Sequence, residues 1–403
     1  MQIVSEQIKA FQQNSSWIRR MFEAGIEMKK QFGAENVYDF SLGSPDLPPP
    51  STVVEGLREL PAEVDVPAGL GYMPNAGYAA AREALARWTE AEQGYEMPAG
   101  NIVITVGAAG GLNCLFRAIL APGDEVVCPA PYFVEYGSYC GNYGGKLKAI
   151  PSSAGTFKLD IEGIGAALNE RTRAVIINSP NNPAGVIYSA EEIAALGEVL
   201  RQASKRFGRP IILIADEPYR FLAYDGVQVP SVLPHYEYSV ICSSFSKNLG
   251  LAGERVGYLC INPAMGKELA AELTAGCILT NRILGFVNAP CIGQKLIIRA
   301  MADLPLTRRL QQEQLAVYAR RRARMAAILD AAGISYQMPA GTFYFFPKAP
   351  VADDVAFVKK LADHHILAVP GSGFGYAGYF RLALCVEDAV IERSAKAFAD
   401  AMK

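Results

Sequence analysis

The sequence predicts an α/β protein: a doubly wound, mostly parallel seven-stranded sheet with a smaller α+β domain. Three observations predict it. From about residue 100, seven β-rich runs alternate with helix-length segments, the order expected of parallel strands joined by crossover helices. Several runs are continuous Val/Ile stretches, which suits strands buried on both faces. Past about residue 300 the pattern shifts to a long charged helix and shorter strand-like pieces. At 403 residues the chain exceeds the size at which one core keeps growing, so two domains are expected.

Residues 1–49 read as an N-terminal segment whose helix, 16–32, packs on the small domain, with the Pro-rich stretch 45–50 closing it. Residues 50–290 form the large domain, with strands at Ile102–Val106, 125–128, 146–150, 174–178, 211–215, 238–242 and Val256–Ile261. Helices fill 110–120 and Ala190–Phe207 between them. Residues 291–403 form the small domain: a helix over 306–331, rich in Arg and Gln, strands at 335–338, 342–346 and Phe380–Ala383, and a closing helix from Asp388.

Composition narrows the chemistry. A hydrophobic fraction of 51%, a charged fraction of 19% and a net charge of −2 with no basic run describe a well-buried enzyme and give no reason to expect nucleic acid. No apolar stretch reaches 18 residues without a charge, Asn, Gly or Pro, and the polar start lacks a signal-peptide h-region, so neither a membrane span nor secretion is expected. The eight cysteines are scattered, without CxxC and mostly in apolar runs, which reads as free thiols in the reducing cytoplasm. Of three histidines, His364 and His365 are adjacent and diverge on any regular backbone, so neither a histidine metal site nor a Ser-His-Asp triad is expected.

Chemistry then falls to lysine, carboxylates, tyrosine or a cofactor, and Lys247 is the informative residue. It follows the 238–242 strand, with Ser244 and Ser246 before it and Arg255 after it. A lysine past a buried strand forms a Schiff base once its pKa falls from ~10.4. Two hydroxyls and a guanidinium hold a phosphate dianion. Lysine and phosphate cradle together are what pyridoxal 5′-phosphate (PLP) requires.

Other polar groups fall at the carboxyl ends of strands, where ligands of an open parallel sheet gather. Gly107-Ala-Ala-Gly-Gly111 precedes a helix and reads as an anion-binding turn or as tight packing. Asn182, in Ser-Pro-Asn-Asn-Pro-Ala-Gly, reads as an amide donor to a ring oxygen or as part of a turn. Asp216 reads as a helix N-cap or as the partner of a protonated pyridine nitrogen, with Tyr219 three residues on. Four motifs on four strand ends, each meeting a different PLP requirement, favour the joint functional reading. Gly371-Ser-Gly-Phe-Gly375 resembles a dinucleotide loop but is followed by a strand rather than a helix.

The chain resembles the class I/II aminotransferases, PLP-dependent enzymes of fold type I. The motifs are Leu-Gly-Ser-Pro-Asp (42–46), Gly-Tyr-Met-Pro-Asn-Ala-Gly-Tyr (71–78), Asn-Ser-Pro-Asn-Asn-Pro-Ala-Gly (178–185), Ala-Asp-Glu-Pro-Tyr (215–219), Ser-Phe-Ser-Lys (244–247), Gly-Glu-Arg-Val-Gly (253–257) and Phe-Arg-Leu (380–382). The resemblance implies that Lys247 is the Schiff-base lysine and proton shuttle. It implies that Asp216 pairs with the pyridine nitrogen, that Asn182 and Tyr219 bond the ring 3′-oxygen, and that Tyr132 stacks on the ring. Ala108, Ala109, Ser244, Ser246 and Arg255 would hold the phosphate, with Tyr72 reaching it from the other subunit of a homodimer. Arg381 would clamp the substrate α-carboxylate, with Gly43 in the same pocket. Ala184 stands where the family usually has threonine, and Ala108 and Ala109 where some members carry hydroxyls; backbone N–H groups remain available at all three.

The implied reaction is ping-pong transfer of an amino group from an L-amino acid, aspartate or glutamate favoured, to a 2-oxo acid. Arg282 lies near the position of a cation for a side-chain carboxylate; a surface or interface arginine is the plainer reading. A PLP-dependent lyase acting on cysteine-type substrates would share all these residues. A PLP-sensing regulator would need a DNA-binding domain, for which the segment before Gly43 is expected to be too short.

Overall fold

Across the central sheet the strands run in the order Ile102–Val106, Val256–Ile261, Ser239–Ser244, Ile212–Asp216, Thr172–Asn178, Glu125–Ala130, Lys146–Pro151. Val256–Ile261 is antiparallel to both neighbours and every other pairing within the sheet is parallel. The computed structural model describes residues 3–13 and 17–403.

The unbroken apolar runs have a direct consequence for packing. Because side chains alternate between faces, Val175, Ile177, Leu213, Ala215 and Ile241 feed a core on one side, while Ala174, Ile176, Ile212, Ile214 and Val240 feed one on the other. Both faces are covered by helices, so no strand position in the middle of the sheet needs to be polar. The edge strand Lys146–Pro151 is mostly exposed and carries Lys146 and Lys148, charges that discourage pairing with another sheet. Helix Ala190–Phe207 shows how local sequence sets an element's limits. Ser189 and Glu192 form a reciprocal capping box at its start, and Gly208, left-handed at φ 67°, ends it.

The C-terminal elements build a second core of Phe343, Phe345, Phe357, Phe380, Leu382 and Ile391 against helix Leu304–Ala331. Its small sheet orders Val369–Pro370, Phe380–Ala383 and Tyr344–Phe345. The sequence-based strand at 335–338 forms no ladder, and that at 342–346 shortens to Tyr344–Phe345, paired with Leu382 and Ala383. Tyr38–Asp39 pairs in parallel with Ile366–Leu367, a two-residue ladder too short to leave a periodic signal.

Helix Trp17–Phe32 lies on the C-terminal elements: Gly25 sits against Leu367, Trp17 against Gly373, and Lys29 pairs with Asp39 at 2.7 Å. Ser16, expected to open it, is outside the described residues. Helix Cys291–Ala302 packs instead on helices Ser51–Val64 and Ala79–Gln93, and its Leu296, Ile297, Ala300 and Met301 join a core of the large sheet. Structurally this helix therefore sits with the large sheet, and the transition to the small core follows it. No helix among the described residues is long and apolar enough to cross a membrane.

Candidate active site

Asn178, Asp216 and Ser244 end three neighbouring strands on the same side of the sheet, and the register sets Asn178 beside Asp216 and Asp216 beside Cys242. Helix Gly107–Ile119 starts directly after Ile102–Val106 at that edge. Above these ends lies a cavity of about 350 Å³, lined by Gly43, Ala108, Ala109, Asn182, Asp216, Tyr219, Ser244, Ser246, Lys247, Arg255 and Arg381 among others. Side chains widely separated in sequence meet here because parallel strands all deliver their carboxyl ends to one edge.

Asp216 is 6% exposed. Tyr136 donates to its Oδ2 at 2.5 Å, and Asn178 Nδ2 donates to its backbone oxygen at 2.7 Å. Oδ1 is buried without a partner. Burial pushes the carboxyl up to about 7; the Tyr136 hydrogen bond opposes this and the Glu217 charge adds to it. An acid in this position needs a donor or a cation on its free oxygen.

Lys247 Nζ donates to the Gly43 carbonyl oxygen at 2.7 Å and lies 5.8 Å from the Phe343 ring centroid. Burial lowers its pKa to about 8; Cys385 works against that, and the Arg381 and Arg255 charges reinforce it. Such an amine is partly neutral near pH 7 and therefore able to act as a nucleophile or base.

Arg381, on strand Phe380–Ala383, is 2% exposed. It donates from Nη1 to Asn182 Oδ1 at 3.1 Å and from Nη2 to the Ser41 carbonyl at 2.6 Å, while Nε has no partner. Its guanidinium carbon lies 4.6 Å from the Tyr344 ring centroid and 4.9 Å from that of Phe374. A dry guanidinium held by neutral oxygens and aromatic faces is prepared for an anion. Asn182, with its carbonyl occupied by Arg381, keeps its amide N–H groups for something in the cavity.

At the opposite end, Ser244 and Ser246 are 4% and 8% exposed, and Arg255 donates from Nη1 to the Ala252 carbonyl at 3.1 Å. Gly107 has φ 67°, and a Cβ there would stand 2.8 Å from Arg255 Nη2. Glycine thus supplies both the left-handed turn and the room for the guanidinium beside the helix N-terminus. At Gly257 a Cβ would run into the backbone of Gly107 and Ala108, so the strand can approach this turn only without a side chain.

Three residues singled out from the sequence lie outside this cavity. Tyr132 does not line the cavity; its ring lies against Gly375, and the next residue, Phe133, lines the wall. The Ala-Pro-Tyr-Phe run left two adjacent aromatics to choose from, and the direction of the turn after the strand decides between them. Tyr72 is 95% exposed and borders a separate surface depression with Phe286 and Asn288. Arg282 is exposed in the last turn of helix Lys267–Ile283, outside the cavity. Sequence reasoning missed Tyr136, Tyr139 and Tyr344. Tyr136 follows Phe133 by three residues, one turn on, and that spacing was the available signal. Where the family's usual threonine gives way to Ala184, Asn181 Oδ1 accepts from the Ala184 N–H at 2.9 Å, so the turn keeps its internal bond. Gly371–Phe374 is a short 3₁₀ turn leading to strand Phe380–Ala383.

Comparison with known proteins agrees with this architecture. The family described as "Aminotransferase class I and II" matches residues 34–398. The aspartate/prephenate aminotransferase of Thermus thermophilus is 28% identical over 93% of this chain and 92% of its own. The aspartate aminotransferase of Bacillus subtilis is 30% identical over 89% of each. Among solved structures, an amino transferase from Eubacterium rectale superposes with TM-score 0.91 at 37% identity, covering 100% of this chain and 98% of that one. The Thermus thermophilus aspartate aminotransferase with maleate gives 0.88 at 26% identity, covering 100% of both. By sequence, fold and the cluster of groups at the sheet's carboxyl edge, the chain belongs to the class I and II aminotransferases.

Proposed function

We propose that this aminotransferase holds PLP in the cavity over the sheet's carboxyl edge and uses it to move an amino group from an aspartate- or glutamate-type L-amino acid to a 2-oxo acid. The observation that carries this reading is the buried, partnerless Oδ1 of Asp216 in the same cavity as Lys247, Arg255 and Arg381. A protonated pyridine nitrogen satisfies that oxygen, and its positive charge offsets the burial that raises the Asp216 pKa. Ser244, Ser246, Arg255 and the N–H groups of Ala108 and Ala109 suit the phosphate, Asn182 and Tyr219 the ring oxygen, and Phe133 the ring face.

When bound, the cofactor supplies an electron-poor ring that takes up the electron pair released when the donor's Cα–H bond breaks. Lys247 would hold the cofactor through its Nζ, which burial keeps partly neutral and so able to act as a nucleophile. Arg381 then fixes the donor's α-carboxylate through its open Nε edge, steadied by Asn182. The freed Lys247 Nζ takes the Cα proton, a task for which a pKa near 8 leaves a usable neutral fraction. Asp216 keeps positive charge at the ring nitrogen throughout, and the aromatic walls exclude water from the reacting carbon. The first product leaves before the acceptor binds, so the kinetics are ping-pong.

The aspartate-type preference is supported by relatives named for aspartate. The cavity's own cations are Lys247, Arg255 and Arg381, each with a task, so a side-chain carboxylate draws its partner from a second subunit or from neutral donors. Tyr72, 95% exposed on its own chain, supports a homodimer with shared sites. Eight free cysteines, seven of them buried, support a reducing, cytoplasmic setting. The test is a panel of amino donors against 2-oxoglutarate, scored for 2-oxo acid release with and without acceptor. Acceptor-dependent turnover with aspartate or glutamate fastest supports the reading. Acceptor-independent pyruvate release from cysteine-type donors would assign lyase chemistry instead.

A further inference from the structure

Tyr344 touches three groups of the cavity at once. It lies in the two-residue strand Tyr344–Phe345 of the small sheet and is 2% exposed. One ring face carries the Arg381 guanidinium, 4.6 Å from the centroid. The hydroxyl lies 3.2 Å from that of Tyr219 and fills the space left by the missing side chain of Gly43, where a Cβ would overlap it. Gly43 is in turn the residue whose carbonyl oxygen receives the Lys247 ammonium at 2.7 Å. The carboxylate-seeking cation, the phenol beside Asp216 and the loop that holds the lysine therefore meet on one side chain.

The contacts use different parts of the phenol. The face acts on Arg381 electrostatically, an attraction strengthened where water is excluded. With Phe374 4.9 Å from the guanidinium carbon, two rings bear on a cation whose Nη1 and Nη2 bond only neutral oxygens. The hydroxyl acts on Tyr219, and either oxygen of that pair can donate. A Tyr219 that donates to the cofactor's ring oxygen has its lone pairs free for Tyr344, and a phenol whose oxygen accepts a hydrogen bond becomes a stronger donor.

We propose that Tyr344 is a positioning residue for the transamination site: its ring face orients the Arg381 fork, and its hydroxyl strengthens Tyr219 as a donor to the cofactor's ring oxygen. This rests on the proposed PLP reading. A side chain that merely fills the small core predicts something different, because replacement by phenylalanine keeps volume and packing and would change nothing at the site.

The experiment uses PLP-loaded enzyme and compares Tyr344→Phe with Tyr344→Leu, each also in a Tyr219→Phe background. Two readouts are taken: the pH midpoint of the visible absorption band, and KM against kcat for alanine and aspartate. The titratable neighbours of Tyr344, namely Arg381, Cys385 and Tyr219, are unchanged in the single variants. Tyr344→Phe should raise the midpoint by about half a unit, because weaker donation to the ring oxygen favours the protonated form, and leave KM within about twofold. That shift should vanish when Tyr219 is already phenylalanine. Tyr344→Leu should raise KM about tenfold for both donors, since the α-carboxylate is common to them. An unmoved midpoint in Tyr344→Phe, or a shift that persists without the Tyr219 hydroxyl, overturns the hydroxyl's role. An unchanged KM in Tyr344→Leu overturns the ring's role; should that variant not fold, Tyr344→Met serves in its place. A wild-type protein with no visible band would instead overturn the PLP reading itself.

Discussion

Tyr136 Oη donates to Asp216 Oδ2 at 2.5 Å and leaves Oδ1 of the same carboxylate buried with no partner. One oxygen of the carboxylate is thus fixed by the protein and the other has no protein partner. Burial raises the Asp216 pKa from 3.8 to about 7. An acid whose folded pKa exceeds its unfolded one binds its proton more tightly when folded. Its stabilising contribution is full below the unfolded pKa and is lost as pH rises through the folded one.

The cofactor-free protein should therefore lose stability between about pH 4 and pH 7 through Asp216. Asp216→Asn should flatten that loss and gain roughly 1–4 kcal/mol above pH 7, as read by urea unfolding of the cofactor-free chain. The same substitution should lower kcat by several orders of magnitude, because the ring nitrogen loses its anionic partner. No helix follows Asp216, so it caps none; turnover within about tenfold of wild type would reduce the carboxylate to a structural partner of Tyr136.

Arg381→Ala should weaken every donor alike. Removing a buried guanidinium from a carboxylate costs roughly 2–5 kcal/mol, since the remaining charge loses its partner. The measurement is kcat/KM for alanine, aspartate and an aromatic donor. Arg282→Ala should leave the aspartate-to-alanine ratio within about twofold, because that side chain is exposed outside its own chain's cavity. A loss confined to aspartate and glutamate would assign Arg282 to the site of a second subunit.

The large sheet was legible in the sequence because its strands are continuous apolar runs buried on both faces, as at Ile212–Asp216 and Val256–Ile261. The short ladders were not: Tyr38–Asp39 and Ile366–Leu367 are two residues each and are held by tertiary contact rather than by pattern. Asp216 stood out as a candidate because it places a charge at the end of an apolar strand, where burial demands a reason, and Lys247 because it follows a strand with hydroxyls beside it. Arg381, inside strand Phe380–Ala383, was marked only by the family resemblance. Tyr344 was not, since within Phe343-Tyr-Phe-Phe346 nothing in the sequence separates a core aromatic from one that faces the cavity. Phe133 rather than its neighbour Tyr132 lines the cavity, a difference that backbone direction makes and the sequence does not show.

Tyr72 should act across a two-fold interface. Homodimers of Lys247→Ala should be inactive and those of Tyr72→Ala should bind PLP more weakly. Mixing the two should regenerate one wild-type site per hybrid dimer, because the intact lysine and the intact tyrosine then meet. A fully active monomer in sedimentation at assay concentration would contradict the shared site.

Uptake of PLP by the cofactor-free enzyme should follow the neutral fraction of Lys247. Its pKa is lowered to about 8 chiefly by burial. The initial rate should rise about tenfold per pH unit below 8 and level off above it, monitored by visible absorbance. A rate still climbing at pH 10 would mean that the lysine is not desolvated in solution.

The most direct test of the central claim is borohydride reduction of the PLP-loaded enzyme followed by peptide mapping. A single phosphopyridoxyl label on Lys247, absent from Lys247→Ala together with the visible band, is the predicted result. A label on another lysine, or a Lys247→Ala protein that keeps both band and turnover, would contradict the account.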